Sequence, residues 1–336
     1  MRSAVAAVAL ALTAVAAPVA HAAEDSPGEW LSRMTNALAS LDYEGLFTHS
    51  TGTQSETMRI VHCVRDGRST ERLVSLDGSG REIVRTSEEV HLYLPDRQVV
   101  LVEPRNDDGS LLRALPKPGP KLDALYTMSL RKGNRMLGRE VRILDILPRD
   151  RYRYGYRLWL DEQTAMPLRS EIVDSQGHAL EAIHFTQLEV GQAIAASELE
   201  PQIDAAGYRW VRHGKRAEQR VAAASWQVRN VPPGFKLVAS RLQMVPGQPM
   251  PVQHLIFSDG VASVSVFIEP GPAKGPAPPE STRVGSANAF TTQVGGHVVT
   301  AVGEVPADTV RDIATSLQPA GSTSPAAAPK AEPRAP

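Results

Sequence analysis

The feature that most constrains the fold is a series of short apolar runs that begins at Tyr43. Within each run, apolar and β-branched side chains recur at every second position, which is the period of a β-strand. Turn signals at 65–67 and 77–80 separate these runs, and a similar series resumes after residue 140. Because parallel strands need long crossover connections, the short turns predict an antiparallel meander.

Several of these predicted strands are apolar on both faces. In the run QVVLVE, Val99 and Leu101 point one way, while Val100 and Val102 point the other. A sheet with one face in water would instead alternate apolar and polar residues. Two-sided burial therefore predicts a curved sheet that wraps around apolar material, which is either a ligand or the chain's own helix and loop side chains.

One amphipathic helix is predicted before the strands. Ser26 and Glu29 have the spacing of a capping box, and Pro27 occupies the first helical position. From Trp30 to Leu41, apolar residues recur at helical spacing and form a single stripe. We expect this helix to lie with its apolar stripe on the sheet.

The first residues have the composition of a secretory signal. Arg2 gives a short positive start, an apolar stretch too short to cross a bilayer follows, and Ala20-His21-Ala22 supplies small residues for cleavage. We therefore expect a signal peptide over 1–22 and a mature protein outside the cytoplasm. A retained membrane anchor is the alternative.

The chain's 336 residues suggest two domains. Composition shifts place an N-terminal domain over 23–192 and a smaller domain of strands and a closing helix over 225–318. Residues 193–224 are predicted as an Ala-rich, charged linker with some strand content. The Pro/Ala-rich tail at 319–336 is predicted to be disordered.

The segment 104–138 interrupts the strand pattern and is longer than most connections inside a domain. Its part KLDALYTMSLRKG predicts a short helix that ends at Gly133. The many leucines of the segment need cover. We therefore expect the whole segment to form a flap over the concave face of the sheet.

Composition excludes several functions. The 36 basic and 37 acidic residues provide no general attraction for nucleic acid. None of the histidines has the spacing of a metal-ligand motif, so no metal or cofactor is expected. Cys63, the only cysteine, lies in a strand-like run and is expected to be a buried, inert thiol. An exposed, redox-active thiol is the alternative.

One cluster invites a catalytic interpretation, because His254, Ser258 and Asp259 lie within six positions. Asp259-Gly260 between two alternating runs is, however, a strong hairpin signal, since glycine supplies the positive φ of the turn. Ser258 and Asp259 would then face solvent at the hairpin tip. No Gly-x-Ser-x-Gly motif or phosphate-binding loop occurs in the sequence. We therefore predict a binding scaffold with no catalytic residues.

The run PRDRYRYGYR concentrates arginine and tyrosine. In a strand it would place Arg149, Arg151 and Arg153 on one face and the tyrosines on the other, and Lys215 and Arg216 form a second basic cluster near the linker. These five residues are candidates for binding an acidic peptide or phosphate groups. The alternative is a solvated strand face. In both cases we expect surface residues, whose replacement leaves stability nearly unchanged.

Four phrases, in this order along the chain, resemble the MucB/RseB family: LDYEGLFTHS, ERLVSLDGSGREIVR, VPPGF and HLIFSDGVASVSVF. The family consists of periplasmic negative regulators of an envelope-stress sigma factor. The resemblance implies an α+β, mostly antiparallel fold. In it, a curved half-barrel sheet with covering helices, similar to the LolA/LolB lipoprotein carriers, precedes a smaller sheet-and-helix domain.

The resemblance also implies partners and a location. It implies a periplasmic protein that binds the periplasmic domain of a membrane anti-sigma factor and protects it from site-1 proteolysis. Lipopolysaccharide or another acyl lipid, sensed by the large domain, would relieve this protection. A periplasmic lipid or lipoprotein carrier is the alternative, and a homo-oligomer is compatible with either function.

The family's motifs are fold motifs and carry over no binding residue. The candidates for a lipid-facing surface therefore come from the pattern of strands and flap alone. These candidates are Leu46, Ile60, Leu92, Val100, Leu125, Met128, Ile143 and Leu158.

Overall fold

The computed structural model describes most of the two predicted domains. The predicted signal peptide lies outside the described residues, as do nearly all of the predicted tail and the candidates Lys215 and Arg216. The described ranges are 26–78, 80–105, 115–120, 122–212, 226–229, 231–243, 251–271 and 278–319.

The predicted N-terminal helix is confirmed and spans Pro27–Ser40 (α1). Its capping box is complete, because the Ser26 hydroxyl accepts a hydrogen bond from the backbone N–H of Glu29, and the Glu29 carboxylate accepts one from that of Ser26. The buried stripe of α1 includes Leu31 and Met34. These side chains pack into the main core cluster on one face of the large sheet.

The large unit is an open sheet, and twelve strands belong to it in the described residues. Its order is β12-β6-β5-β4-β3-β2-β1-β11-β10-β9-β8-β7, so the pairing of β1 with β11 joins two meanders. Only the pairing of β12 with β6 is parallel among these neighbours. The strands are β1 Tyr43–Thr51, β2 Gln54–Arg65, β3 Arg68–Ser75, β4 Glu82–Arg85, β5 Glu89–Leu94, β6 Val99–Pro104, β7 Tyr126–Lys132, β8 Val141–Pro148, β9 Gly155–Asp161, β10 Pro167–Val173, β11 Ala179–Val190 and β12 Arg209–Arg212.

The segment 104–138 differs from its prediction. Among its described residues only Leu122–Leu125 (α2) is α-helical, and the residues after it form the edge strand β7, paired with β8. Tyr126, Met128 and Leu130 alternate inward with exposed neighbours, so the two-residue period determines the structure here. A flap over the whole segment is therefore wrong. Leu115 is buried in the main core, whereas 106–114 lies outside the described residues.

The described part of the predicted linker packs onto the large sheet. After the 3-10 helix Ala196–Leu199, the backbone N–H groups of Gln202 and Ile203 donate to the Glu82 carboxylate. Glu82 also pairs with Arg72 in a fully buried ion pair. Ile203 then packs with its neighbours on an outer cluster that contains Val100. The second apolar face of β6 is thus covered by this segment of the chain.

In its described residues the small unit combines a sheet with one helix, as predicted. Its described strands form a six-stranded antiparallel sheet of order β14-β15-β16-β19-β18-β17, and α3 packs on β18 and β19. A separate pair, β13 and β20, joins the two ends of the unit. The elements are β13 Trp226–Val228, β14 Lys236–Gln243, β15 Val252–Ser258, β16 Ser263–Pro270, β17 Glu280–Val284, β18 Ala287–Val294, β19 His297–Gly303, α3 Ala307–Ser316 and β20 Leu317–Pro319.

Candidate functional site

The arginine- and tyrosine-rich run is an interface segment. Residues 149–153 form bends and turns, and β9 begins only at Gly155. The predicted alternation of Arg and Tyr on two strand faces is therefore wrong for this part of the run. Arg151 is exposed, whereas Arg153 is buried, because this segment packs against the small unit.

Arg153 is held by three acceptors at once. Its Nε donates to the Asp259 carboxylate, one terminal nitrogen donates to Asp150, and the other donates to the backbone carbonyl of Pro233. The guanidinium also lies 5.0 Å from the centre of the Phe235 ring. The side chains of Arg153 and Asp259 are both 0% exposed. A buried charge requires such pairing, since its desolvation is otherwise very costly.

The predicted hairpin is confirmed, but Asp259 in its turn is buried and does not face solvent, whereas Gly260 is exposed. Strands β15 and β16 pair up to Ser258 and Ser263, and the intervening turn closes on the large unit, which buries Asp259. The second carboxylate oxygen of Asp259, Oδ1, accepts the backbone N–H groups of Val261 and Ala262, each at 2.7 Å. The Asp259 carboxylate thus shapes its own turn and pairs with Arg153 of the other unit.

The neighbouring residues of the suspected catalytic cluster have structural contacts. The Ser258 hydroxyl donates to the carbonyl of Ala262 and accepts from the N–H of Gly260. His254 stacks on Phe267, with the ring centres 4.4 Å apart. These contacts account for the three residues as parts of a hairpin.

Two further hydrogen bonds connect the same segment to the small unit. The Asn288 side-chain amide donates to the Tyr154 hydroxyl at 2.9 Å and to the carbonyl of Val305 at 2.7 Å. The Thr309 hydroxyl donates to the carbonyl of Tyr152 at 2.9 Å. Residues 152–154 therefore contact the hairpin, strand β18 and helix α3.

A second polar contact lies at the turn between β17 and β18. The Ser286 hydroxyl donates to Glu181 on β11 at 2.6 Å, and the other oxygen of Glu181 lies 2.7 Å from Nε2 of His49 on β1. This hydrogen bond raises the pKa of His49 and lowers the pKa of Glu181. The charged pair is thus favoured where the two units meet.

A cleft of about 510 Å³ lies between the two units. Leu115 and Tyr156 line it from the large unit, and Val261, Ala262 and Ser265 line it from the small unit. Burial raises the pKa of Tyr156, so its hydroxyl stays neutral at physiological pH. The lining combines apolar side chains with hydroxyl-bearing residues and Glu304, which suits a short stretch of polypeptide.

The lipid-facing candidates divide into separate locations. Val100 lies in the outer cluster, and Leu46 and Leu92 are half-buried outside both clusters. The other five are brought together in or against the core that α1 covers. These are Ile60, Ile143 and Leu158, which are buried, and Leu125 and Met128, which are partly buried.

The three described basic candidates diverge. Arg149 donates to the carbonyls of Asp123 and Tyr126, whereas Arg151 lies over the ring of its neighbour Tyr152. They do not converge with Arg153 on one anion site. The sequence interpretation missed Asp259 as an interface residue, because its hairpin signal explained it without any partner.

The structure also bears on the thiol of Cys63, on metal ligands and on a membrane-spanning helix. Cys63 is buried as predicted, and burial raises the pKa of its thiol. Within the described ranges, His, Cys, Asp and Glu side chains form no group of three suited to a metal ion. None of the helices described is both long and apolar enough to cross a membrane.

These features define a two-domain protein in which an open curved sheet and a smaller sheet meet through a polar interface. A cleft lies between the two domains. The chain belongs to the MucB/RseB family. The model of the MucB/RseB N-terminal domain matches residues 26–203, and that of the MucB/RseB C-terminal domain matches residues 220–318.

Individual relatives agree with this assignment. The sigma factor AlgU regulatory protein MucB of Pseudomonas aeruginosa is 33% identical over 91% of this chain and 94% of its own length. The sigma-E factor regulatory protein RseB of Escherichia coli K12 is 27% identical over 88% and 92%. The crystal structure of MucB in complex with MucA(peri) is similar at a TM-score of 0.69, with 31% identity, over 88% of this chain and 99% of that one.

The burial of Arg153 reverses the expectation that replacing the arginines of this run leaves stability unchanged. Arg153→Met removes one partner of a buried pair, so we expect the free energy of unfolding to fall by about 3–5 kcal/mol. The matched variant Arg151→Met, at an exposed site, should change it by less than about 0.5 kcal/mol. Urea unfolding measures both, and equal effects of the two variants would contradict the assigned interface.

The contact of His49 with Glu181 predicts a pH-dependent stability. The raised pKa of His49 gives a contribution that is complete below its unfolded value of 6.5 and is lost as the pH rises through the folded value. The lowered pKa of Glu181 gives a contribution that is complete above its unfolded value of 4.5 and is lost as the pH falls through the folded value. Both contributions are therefore present between these values.

We accordingly expect His49→Ala to lower the free energy of unfolding more at about pH 5.5 than at about pH 8.5. The control is His178→Ala, whose side chain is 71% exposed and whose surface pair should contribute little. Urea unfolding at the two pH values measures the difference. A His49→Ala loss that is independent of pH would refute the assignment.

Proposed function

We propose that this protein is a periplasmic regulatory binding protein for the periplasmic domain of a membrane anti-sigma factor, which it protects from site-1 proteolysis. The observation that carries the proposal is the likeness of nearly the whole chain, across both units, to MucB in complex with MucA(peri). The names of the relatives, which are sigma factor regulatory proteins, support it. The predicted signal peptide supports the periplasmic location.

The cleft between the units is the surface that best suits such a partner. Both units contribute walls to it, so a bound segment would contact two domains at once. Its volume of about 510 Å³ is too small for a folded domain but accommodates a few residues of an extended chain. A segment held there would be less accessible to a protease, which must bind its substrate as an extended chain.

We further propose that the large unit senses the acyl chains of lipopolysaccharide or another lipid. The surface for this ligand is the inner face of the sheet, where Ile60, Ile143 and Leu158 lie together. Because α1 belongs to the same core cluster and packs on β7 and β8, a lipid would bind to this face only after α1 moves aside. This requirement suits a sensor whose ligand changes the conformation.

A lipid carrier would use the same inner face, and a carrier and a sensor differ in what happens to the lipid. A carrier would retain stoichiometric acyl lipid through purification and pass it to an acceptor protein. The separate small unit and its cleft with the large unit favour the regulatory function. A homo-oligomer is compatible with both functions, and sedimentation of the mature chain distinguishes the states.

The test is protease protection. At a concentration about ten times the dissociation constant, the mature chain should bind about nine-tenths of MucA(peri) and slow its cleavage by the site-1 protease about tenfold. Lipid A should restore cleavage. Full-rate cleavage in the presence of excess chain would refute the proposed function.

A pair of variants locates the surface. Ser265 lines the cleft, so Ser265→Trp should fill it and abolish protection. Ser129 is exposed on the edge strand β7 of the large unit, and Ser129→Trp should leave protection intact. Equal protection by the two variants would place the partner elsewhere on the protein.

A further inference from the structure

We infer that Asp259 and Arg153 are positioning residues for partner binding: their buried pair holds the two walls of the cleft in register, although neither residue lines the cleft. That the pair fixes the arrangement of the units follows from the contacts alone. That it affects the affinity for the partner rests also on the proposed function.

Asp259 connects the hairpin turn to the other unit through its two oxygens. Oδ1 accepts the backbone N–H groups of Val261 and Ala262, and both of these residues line the cleft. Oδ2 accepts from Arg153 of the large unit. One carboxylate therefore fixes the shape of the small unit's wall and the position of that wall relative to the large unit.

Arg153 connects the large unit's wall of the cleft to the small unit. It lies three residues before Tyr156, which forms the opposite wall. Its third donor contacts the carbonyl of Pro233, and its guanidinium lies over Phe235, so two further residues of the small unit hold it. A displacement of either unit would break several of these contacts together.

The geometry requires a charged carboxylate at position 259. The substitution Asp259→Asn would keep one side-chain oxygen for the turn but would present a neutral amide to the buried guanidinium. The turn would then remain while the link between the units weakens. Asp259→Asn therefore tests the position of the hairpin while the conformation of its turn is kept. A larger substitution would change both.

The experiment measures the arrangement and the affinity in the same proteins. Spin labels at Asp96→Cys and Lys236→Cys, exposed positions on the large and small units, report the distance between units in the full mature chain with Cys63→Ala. The unlabelled chains are titrated with MucA(peri). The variants are Asp259→Asn and the double variant Arg153→Met/Asp259→Asn, which removes both charges and so leaves no unpaired buried ion.

We expect a narrow distance distribution in the parent chain and a broadened or shifted one in both variants, with unchanged far-UV circular dichroism. If the competent arrangement falls to about a tenth of the population, the affinity for MucA(peri) falls about tenfold. The matched control is Ser258→Ala, which removes two hydrogen bonds whose partners, Gly260 and Ala262, both lie in the same turn. It should keep the parent's distances and affinity.

Each outcome decides between the claims. Parent-like distances in both variants would overturn the inference, as would an affinity loss in Ser258→Ala equal to that in Asp259→Asn. Broadened distances in both variants, together with a parent chain that fails to bind MucA(peri), would support the role of the pair in fixing the two units and refute the proposed function. The double variant keeps the test valid if Asp259→Asn alone fails to fold.

Discussion

The arrangement of the two units depends on a buried ion pair between Arg153 and Asp259. Both side chains are removed from water, and the removal of two charges costs more than their mutual attraction returns unless the geometry is complete. Here the hydrogen bonds of the guanidinium are nearly complete, because it also donates to Asp150 and to the carbonyl of Pro233. Such a pair contributes little net stability, but it strongly disfavours any arrangement of the units that separates it.

This constraint connects the interface to the core. Leu115 and Tyr156 line the cleft and also belong to the core cluster beneath α1, where five of the lipid-facing candidates lie. A ligand that rearranges the inner face of the sheet would therefore act directly on one wall of the cleft. Coupling of this kind is reciprocal, so a partner in the cleft would also oppose rearrangement of the inner face.

Local patterns in the sequence predict much of the fold. The capping box at Ser26, the meander of short strands and the hairpin at Gly260 depend on neighbouring residues, and all three are present. The helix expected through Gly133 is mostly strand, because pairing with β8 overrides a weak local preference. The packing of Ile203 over β6 is likewise not predicted by the sequence, since it depends on a contact between distant segments.

The candidate site was less predictable than the fold for the same reason. Arg153 and Asp259 are 106 positions apart, and each has a sufficient local explanation as a solvated strand residue or a turn residue. One sequence contains no signal that pairs them. The structure unites the two motifs, the arginine-rich run and the Ser-Asp-Gly turn, in one interface.

The most direct test of this account is a double-mutant cycle between Arg153→Met and Asp259→Asn, read as free energies of unfolding of the mature chain. Arg153→Met leaves Asp259 buried without a counter-charge, and Asp259→Asn leaves the Arg153 guanidinium with Asp150 as its remaining carboxylate. The account therefore predicts a coupling energy of about 2–3 kcal/mol, with the double variant more stable than the sum of the single losses implies. A coupling energy within about 0.5 kcal/mol of zero would mean that the two side chains act independently, and it would contradict the central claim.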